Sequence, residues 1–175
     1  MQELLDDIGH PTWLPFTVIA GRLFIAALFG AIVGFEREWQ NRPAGLRTHI
    51  LVSLAAAAFA ILGIEIVHSA QFVQDGSRLD PLRLIEAVTA GVAFLAAGSI
   101  IFAKGEVRGL TTGAGLWLAG AIGLSSGLGF WQIAAFITFV AIVVLGLMHR
   151  FEGTIGPSDE KTETKEKSET TKRKS

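Results

Sequence analysis

"FEREWQNRPAGLRTHI" (residues 35–50) sets two acids, three arginines and a histidine between two strongly apolar stretches. Such a segment is either a site in its own right or the turn of a hairpin whose arms cross a bilayer. The arms decide the fold. A helix needs roughly 20 apolar residues to cross the hydrocarbon, and the flanking runs, Trp13 to Phe35 and Ile50 to Val67, come close to that length. Three more follow: Leu84 to Ala103, Leu110 to Gly127, and Gly129 to Met148. Only "GLSSGLGF" (123–130) separates the last two, and its glycines and serines suit a tight turn.

Composition agrees. Half of the 175 residues are hydrophobic and 18% are charged, and the mean hydropathy is +0.48, values far from those of soluble domains. The expected fold is therefore all-α, a polytopic bundle of five transmembrane helices. Its domain plan is a short extracytoplasmic lead over 1–12, a membrane domain over 13–151 and a charged cytoplasmic tail over 152–175. The lead carries Glu3, Asp6 and Asp7 and no basic residue, unlike the basic start of a signal peptide. The tail has no hydrophobic residue after Ile155, and its acids and bases nearly cancel. It cannot bury enough apolar surface to fold, so disorder is expected.

Orientation follows from the basic residues. With five spans, Arg37, Arg42, Arg47, Lys104, Arg108 and Arg150 share one side, against Arg78 and Arg83 on the other. The positive-inside rule then puts the N-terminus outside and the C-terminus in the cytoplasm.

Small residues four apart recur at Gly30/Gly34, Ala87/Gly91, Gly109/Gly113 and Gly123/Gly127. They let helix backbones approach closely in lipid and predict a tight bundle. "DPLR" (80–83) reads as a helix start, with Asp80 as cap and Pro81 in the first turn. Arg83 pairs with Asp80 or meets headgroups in this expectation.

Charges inside a bilayer are costly and point to function. Arg22, Glu36, Glu65 and Glu86 qualify. Arg22 and Glu65 are expected to pair with each other or to reach the outer interface. Glu86, with Asp80 and Arg83, makes an outer polar cluster. Mg²⁺ usually takes more than one carboxylate, and no acidic pair at ligand spacing lies in the spans, so the sequence reveals no dedicated metal site. "RGLTTGAGLW" (108–117) puts Thr111 and Thr112 at a helix start after Arg108, where an anion or a capping group would be welcome. Enzymes are disfavoured. There is no Cys or Tyr, the four histidines are scattered, and no nucleophile elbow, phosphate-binding lysine loop or zinc-binding helix appears. No cofactor and no nucleic-acid partner is expected.

"GAIVGFEREWQNRPAGLRTHILVSLAAA" (30–57), "DPLRLIEAVTAGVAFLAAGSII" (80–101) and "VRGLTTGAGLWLAGAIGLSSGLGF" (107–130) together resemble the MgtC/SapB family of bacterial membrane proteins. The resemblance runs from about Arg22 to Phe151 and carries over Gly30, Gly34, Glu36, Arg37, Gly45, Leu46, Arg47, Thr48, Asp80, Arg83, Gly91, Gly98, Gly109, Thr111 and Thr112, with Phe94, Leu95 and Trp117. In "AGVAFLAAG" (90–98), Ala93 and Ala96 stand where the family has glycines, and Ala87 replaces a glutamine. The tail in place of a folded C-terminal domain suggests a short SapB- or YhiD-like member.

The resemblance implies a multi-pass protein of the bacterial inner membrane, tied to magnesium homeostasis, stress response and virulence. Members are often labelled Mg²⁺ transporters, while the family's regulatory members act on other membrane proteins, the F-type ATP synthase among them. Two functions result. One is a regulator that sits in the bilayer and binds its own copies or another membrane complex through glycine-rich faces. The alternative is a cation transporter or channel lined by Glu36, Asp80 and Glu86. An inner polar cluster of Glu36, Arg37, Arg47, Thr48, Arg108, Thr111 and Thr112 is expected, with Glu36 pairing to Arg37, Arg47 or Arg108. Helix packing is expected at Gly30, Gly34, Gly91, Gly98, Gly109, Gly113, Gly123 and Gly127.

Overall fold

The structure, a computed structural model, describes residues 12–69, 80–103 and 106–152. The acidic lead up to residue 11, the segment over 70–79 with Arg78, Lys104 with Gly105, and the tail from 153 lie outside the described residues. Among the described residues five helices form: α1 (Phe16–Trp39), α2 (Leu46–His68), α3 (Pro81–Ser99), α4 (Leu110–Gly127) and α5 (Trp131–Glu152). Between α3 and α4 lies a small antiparallel hairpin, β1 (Ile101–Ala103) and β2 (Glu106–Arg108), pairing Ile101 with Arg108 and Phe102 with Val107. The described residues divide into two units. Residues up to Ile142 form the first, and the remainder of α5 belongs to the second.

The helical class stands, with departures from the expected boundaries at both sides of the first turn and at the end of span three. Span one was expected to end near Phe35, yet α1 continues to Trp39, and α2 begins at Leu46 rather than Ile50. Residues 40–45 alone make the turn. Most of the charged stretch is therefore helical, and its side chains are aimed by helix geometry. Span three was expected to reach Ala103, but α3 stops at Ser99 and β1 follows. The hairpin returns to Gly109, whose φ of +90° favours glycine and whose absent Cβ leaves room for the Ser99 carbonyl.

The first unit is built with small residues inside and large ones outside. Its interior holds Ala26, Ala56, Ala57, Ala60 and Ala119, all within 1% exposure. Phe24, Phe35, Phe59, Phe94 and Phe136 are more than half exposed. Water would penalise that exterior heavily, whereas lipid does not, and close backbone packing then holds the helices together. Among the described residues three helices are long and apolar enough to cross a membrane: Phe16–Trp39, Leu46–His68 and Leu82–Ser99.

α4 is the centre. Eleven of its 18 residues are buried, and it packs on α1, α2 and α3. Gly115 meets His49, Gly123 meets Ser53 and Ala56, and Gly127 meets Ala57 and Ala60, so α2 and α4 run parallel. Gly113 meets Ala96 and Gly120 meets Val92, so α3 runs antiparallel to α4. Gly30 and Gly34 lie against Ser53, His49 and Leu46, placing α1 antiparallel to α2.

Candidate functional site

The end of the bundle where α1 passes into α2 concentrates the buried polar groups. Because α1 continues past Phe35, Arg37 falls on the face of Gly30, Val33 and Gly34 at helical spacing. It is drawn inside with them, 1% exposed. His49, in the first turn of α2, is fully buried. Its Nδ1 lies 2.9 Å from the Gly45 carbonyl. A carbonyl only accepts, so Nδ1 carries the hydrogen and Nε2 is the ring's acceptor. That nitrogen has no hydrogen-bond partner among the described residues. Gly115 makes room for it, since a Cβ there would lie 3.1 Å from Nε2. The positive charge of Arg37 acts on the same ring. Farther along α2, Ser53 Oγ donates to the Ala26 carbonyl at 2.8 Å.

The turn is locked by a residue outside the expected cluster. Glu38 Oε2 accepts the Leu46 N–H at 2.8 Å. Its carboxylate lies where a Cβ on Gly45 would stand. An anion at the start of α2 satisfies an orphan donor and suits the helix dipole.

The expected inner cluster divides. Arg37 and Thr112 are buried, while Arg47, Thr48, Arg108 and Thr111 are exposed. Glu36 does not pair with Arg47 or Arg108: its Oε1 accepts from Gln40, and its buried Oε2 has no hydrogen-bond partner among the described residues. Arg108 sits on β2 and reaches Glu106 at 3.5 Å, both side chains exposed. Thr48 and Thr112 do share a cleft of about 290 Å³, lined also by Pro43, Gly98 and Ser99.

At the opposite end, the expected Arg22–Glu65 pair gives way to backbone contacts. Arg22 Nη1 donates to the Gly127 carbonyl at 2.8 Å, capping α4 with a cation where the dipole favours one. Gly129, at φ +92°, turns the chain beneath the guanidinium, and a Cβ there would stand 2.7 Å from Nη2. Glu65 accepts the N–H groups of Trp13 and Leu14 at 2.7 and 2.9 Å, and Trp13 stacks on His68. Asp80 caps α3 as expected, accepting the Leu82 N–H at 2.9 Å. Arg83 and Glu86 are exposed. Among the described residues no group of three metal-binding side chains comes together.

Six of the eight expected packing glycines make close contacts. Gly91 and Gly98 do not: a Cβ on either would meet nothing within 4 Å. Sequence reasoning missed His49 and Glu38. Gly34, Gly45 and His49 carried a signal for the first, a glycine four residues before a histidine opposite a second small residue. For Glu38 there was none, because its partner is set by the turn.

A glycine- and alanine-lined interior inside a shell of exposed aromatic and aliphatic side chains defines a helical integral membrane protein. Within that class, the chain belongs to the MgtC family, whose model matches residues 23–154. An uncharacterized protein of Haemophilus influenzae is 31% identical over 145 residues, 82% of this chain and 60% of that protein. The protein named "Putative magnesium transporter YhiD" of Escherichia coli K12 is 35% identical over 74% of this chain and 60% of its own length. "Protein MgtC" of Brucella abortus is 40% identical, covering 78% of this chain and 53% of that protein. The chain thus spans between half and three fifths of these relatives' lengths. No solved structure matches it.

Proposed function

We propose that this chain is a multi-pass protein of the bacterial inner membrane that serves magnesium homeostasis and stress adaptation by binding and regulating other membrane proteins. It crosses five times, with the N-terminus outside and the C-terminus in the cytoplasm. The alternating directions of α1 to α4 and the gathering of Arg42, Arg47 and Arg108 at one end support that topology. A magnesium connection is drawn from the name of the Escherichia coli relative.

One observation carries the choice of binding over transport. Arg22 and Glu65, two of the four ionisable groups expected inside the spans, are engaged by the fold's own backbone at Gly127, Trp13 and Leu14. Neither is held ready for a passing ion. We assign a partner helix instead to the groove between α3 and α4, about 310 Å³ and lined by Ile85, Trp117, Ser125 and Phe130. Gly30 and Gly34, inward against α2, are not available for such contacts. The same α3–α4 groove is where self-association is expected.

Purified protein in liposomes loaded with a Mg²⁺-sensitive dye tests the choice. The expected result is no flux, with a membrane partner that co-purifies and is lost on Trp117→Ala. Flux abolished by Glu36→Gln or Glu86→Gln would establish the transporter reading. A reporter fused after Arg150 reads cytoplasmic in the proposed topology, and an external signal overturns it.

A further inference from the structure

α2 and α3 are in contact near one end, where Leu84 fills the space beside Gly63, and between them lies an apolar groove. The groove holds about 400 Å³ and is lined by Ala55, Phe59, Ala87 and Gly91, with Val52 and Leu95 at its end. Val52 and Leu95 also line the cleft that holds Thr48, Ser99 and Thr112. The two therefore adjoin at Val52 and Leu95, the groove apolar along its length and the cleft furnished with hydroxyls at the mouth. Gly91 and Gly98 keep it open. Arg47, beside Thr48 in the first turn of α2, and Arg42 in the preceding turn are both exposed at that end.

From Leu84 to Ser99 the helical rise gives about 22 Å, within the ~30 Å of hydrocarbon. One leaflet is about half that thickness, so a single acyl chain entering from the mouth fits within the closed end. An apolar tail, hydroxyls at the boundary and arginines beyond it are complementary to a phospholipid with a net negative headgroup.

We propose that the α2–α3 groove holds one acyl chain of an anionic phospholipid of the surrounding bilayer, with its headgroup phosphate at Arg47 and its glycerol region against Thr48 and Thr112. The lipid fills space that no protein group occupies and joins two helices along the part of their length where they stand apart.

The test is native mass spectrometry of the full chain, delipidated in detergent and re-exposed to equimolar phosphatidylglycerol and phosphatidylcholine. One phosphatidylglycerol per chain is retained. Arg47→Gln lowers its enrichment over phosphatidylcholine about fivefold, the effect of one basic residue near an anionic surface. Gly91→Leu fills the groove and abolishes retention, and Gly98→Ala, one methyl at the mouth, is the second variant if Gly91→Leu is not monodisperse. Gly21→Leu, at an open position on α1, leaves retention unchanged. Equal retention of the two lipids, or retention surviving both groove variants, overturns the proposal. So does displacement of the lipid by inorganic phosphate alone, which would make the mouth a phosphate site. Gly91→Cys gives no crosslink between copies in this otherwise cysteine-free chain, and a crosslinked dimer would show a second copy in the groove.

Discussion

α4 and α3 are both glycine-bearing helices of similar length, and they use their glycines in opposite ways. In α4, Gly113, Gly120, Gly123 and Gly127 are pressed against α3 or α2, with backbone or side-chain atoms standing where a Cβ would be. In α3, Gly91 and Gly98 look onto open space. The spacing of small residues is alike in both, so spacing alone does not make an interface. What distinguishes them is position: α4 is surrounded by three helices, whereas α3 lies at the edge with Phe94 and Leu95 exposed.

Substitutions break this comparison most forcefully in α4. Gly123→Leu drives a side chain into the Ser53 carbonyl and the Ala56 methyl. Side-chain overpacking costs about 1–3 kcal/mol, and a collision with backbone cannot be relieved by a rotamer change. The expected outcome is loss of monodisperse protein in fluorescence-detected size-exclusion chromatography. A well-behaved Gly123→Leu protein would show that α4 is not tightly enclosed.

Next in size are the polar ties at the two ends. Arg22→Ala removes a charged donor from the end of α4 and is expected to cost about 1.5 kcal/mol, the lower end for such bonds because Arg22 is half-exposed. Thermal unfolding in detergent measures it, and Arg22→Lys should recover part of the loss. If Arg22→Ala melts like the parent protein, the cap is decorative. Glu38→Ala removes the acceptor at the start of α2 and should cost about 1 kcal/mol, the usual value of a helix cap. Glu38→Gln keeps an acceptor but not the charge, and falls between.

How much of this was legible follows from which interactions are local. Asp80 and Pro81 announced the start of α3 because a cap acts within one turn. Gly30 and Gly34 announced a close approach, and hydrophobic runs located all five helices. The runs failed at their ends. Phe35 to Trp39 continue α1 through charged residues, since Arg37 and Glu38 find partners or burial only after α2 folds back. The hairpin at 101–108 was hidden because "IIFA" is as apolar as the span before it. Arg22 is 105 positions from the residue it caps, and no periodicity within either helix registers that pairing. The inner cluster was half legible for a related reason: the sequence places Arg37, Arg47 and Thr112 at one end of the bundle, but only helix phase decides that Arg37 and Thr112 turn inward while Arg47 turns out.

The smallest effect is the sharpest test, because the comparison predicts a change of sign. Alanine at Gly91 meets no atom within 4 Å, so no packing is lost. Glycine in a helix interior costs roughly 0.5–1 kcal/mol relative to alanine through backbone entropy. Gly91→Ala should therefore leave the lipid-free protein as stable as the parent or slightly more so. Gly120→Ala, with Val92 Cγ2 3.0 Å from the added methyl, gains the same entropy but presses on the stiff, β-branched Val92 side chain, which has to give way. Measured side by side in delipidated detergent, the first melts at or above the parent and the second below it. If both fall together, α3 is enclosed by something the open glycines do not reveal, and the contrast between the two helices disappears.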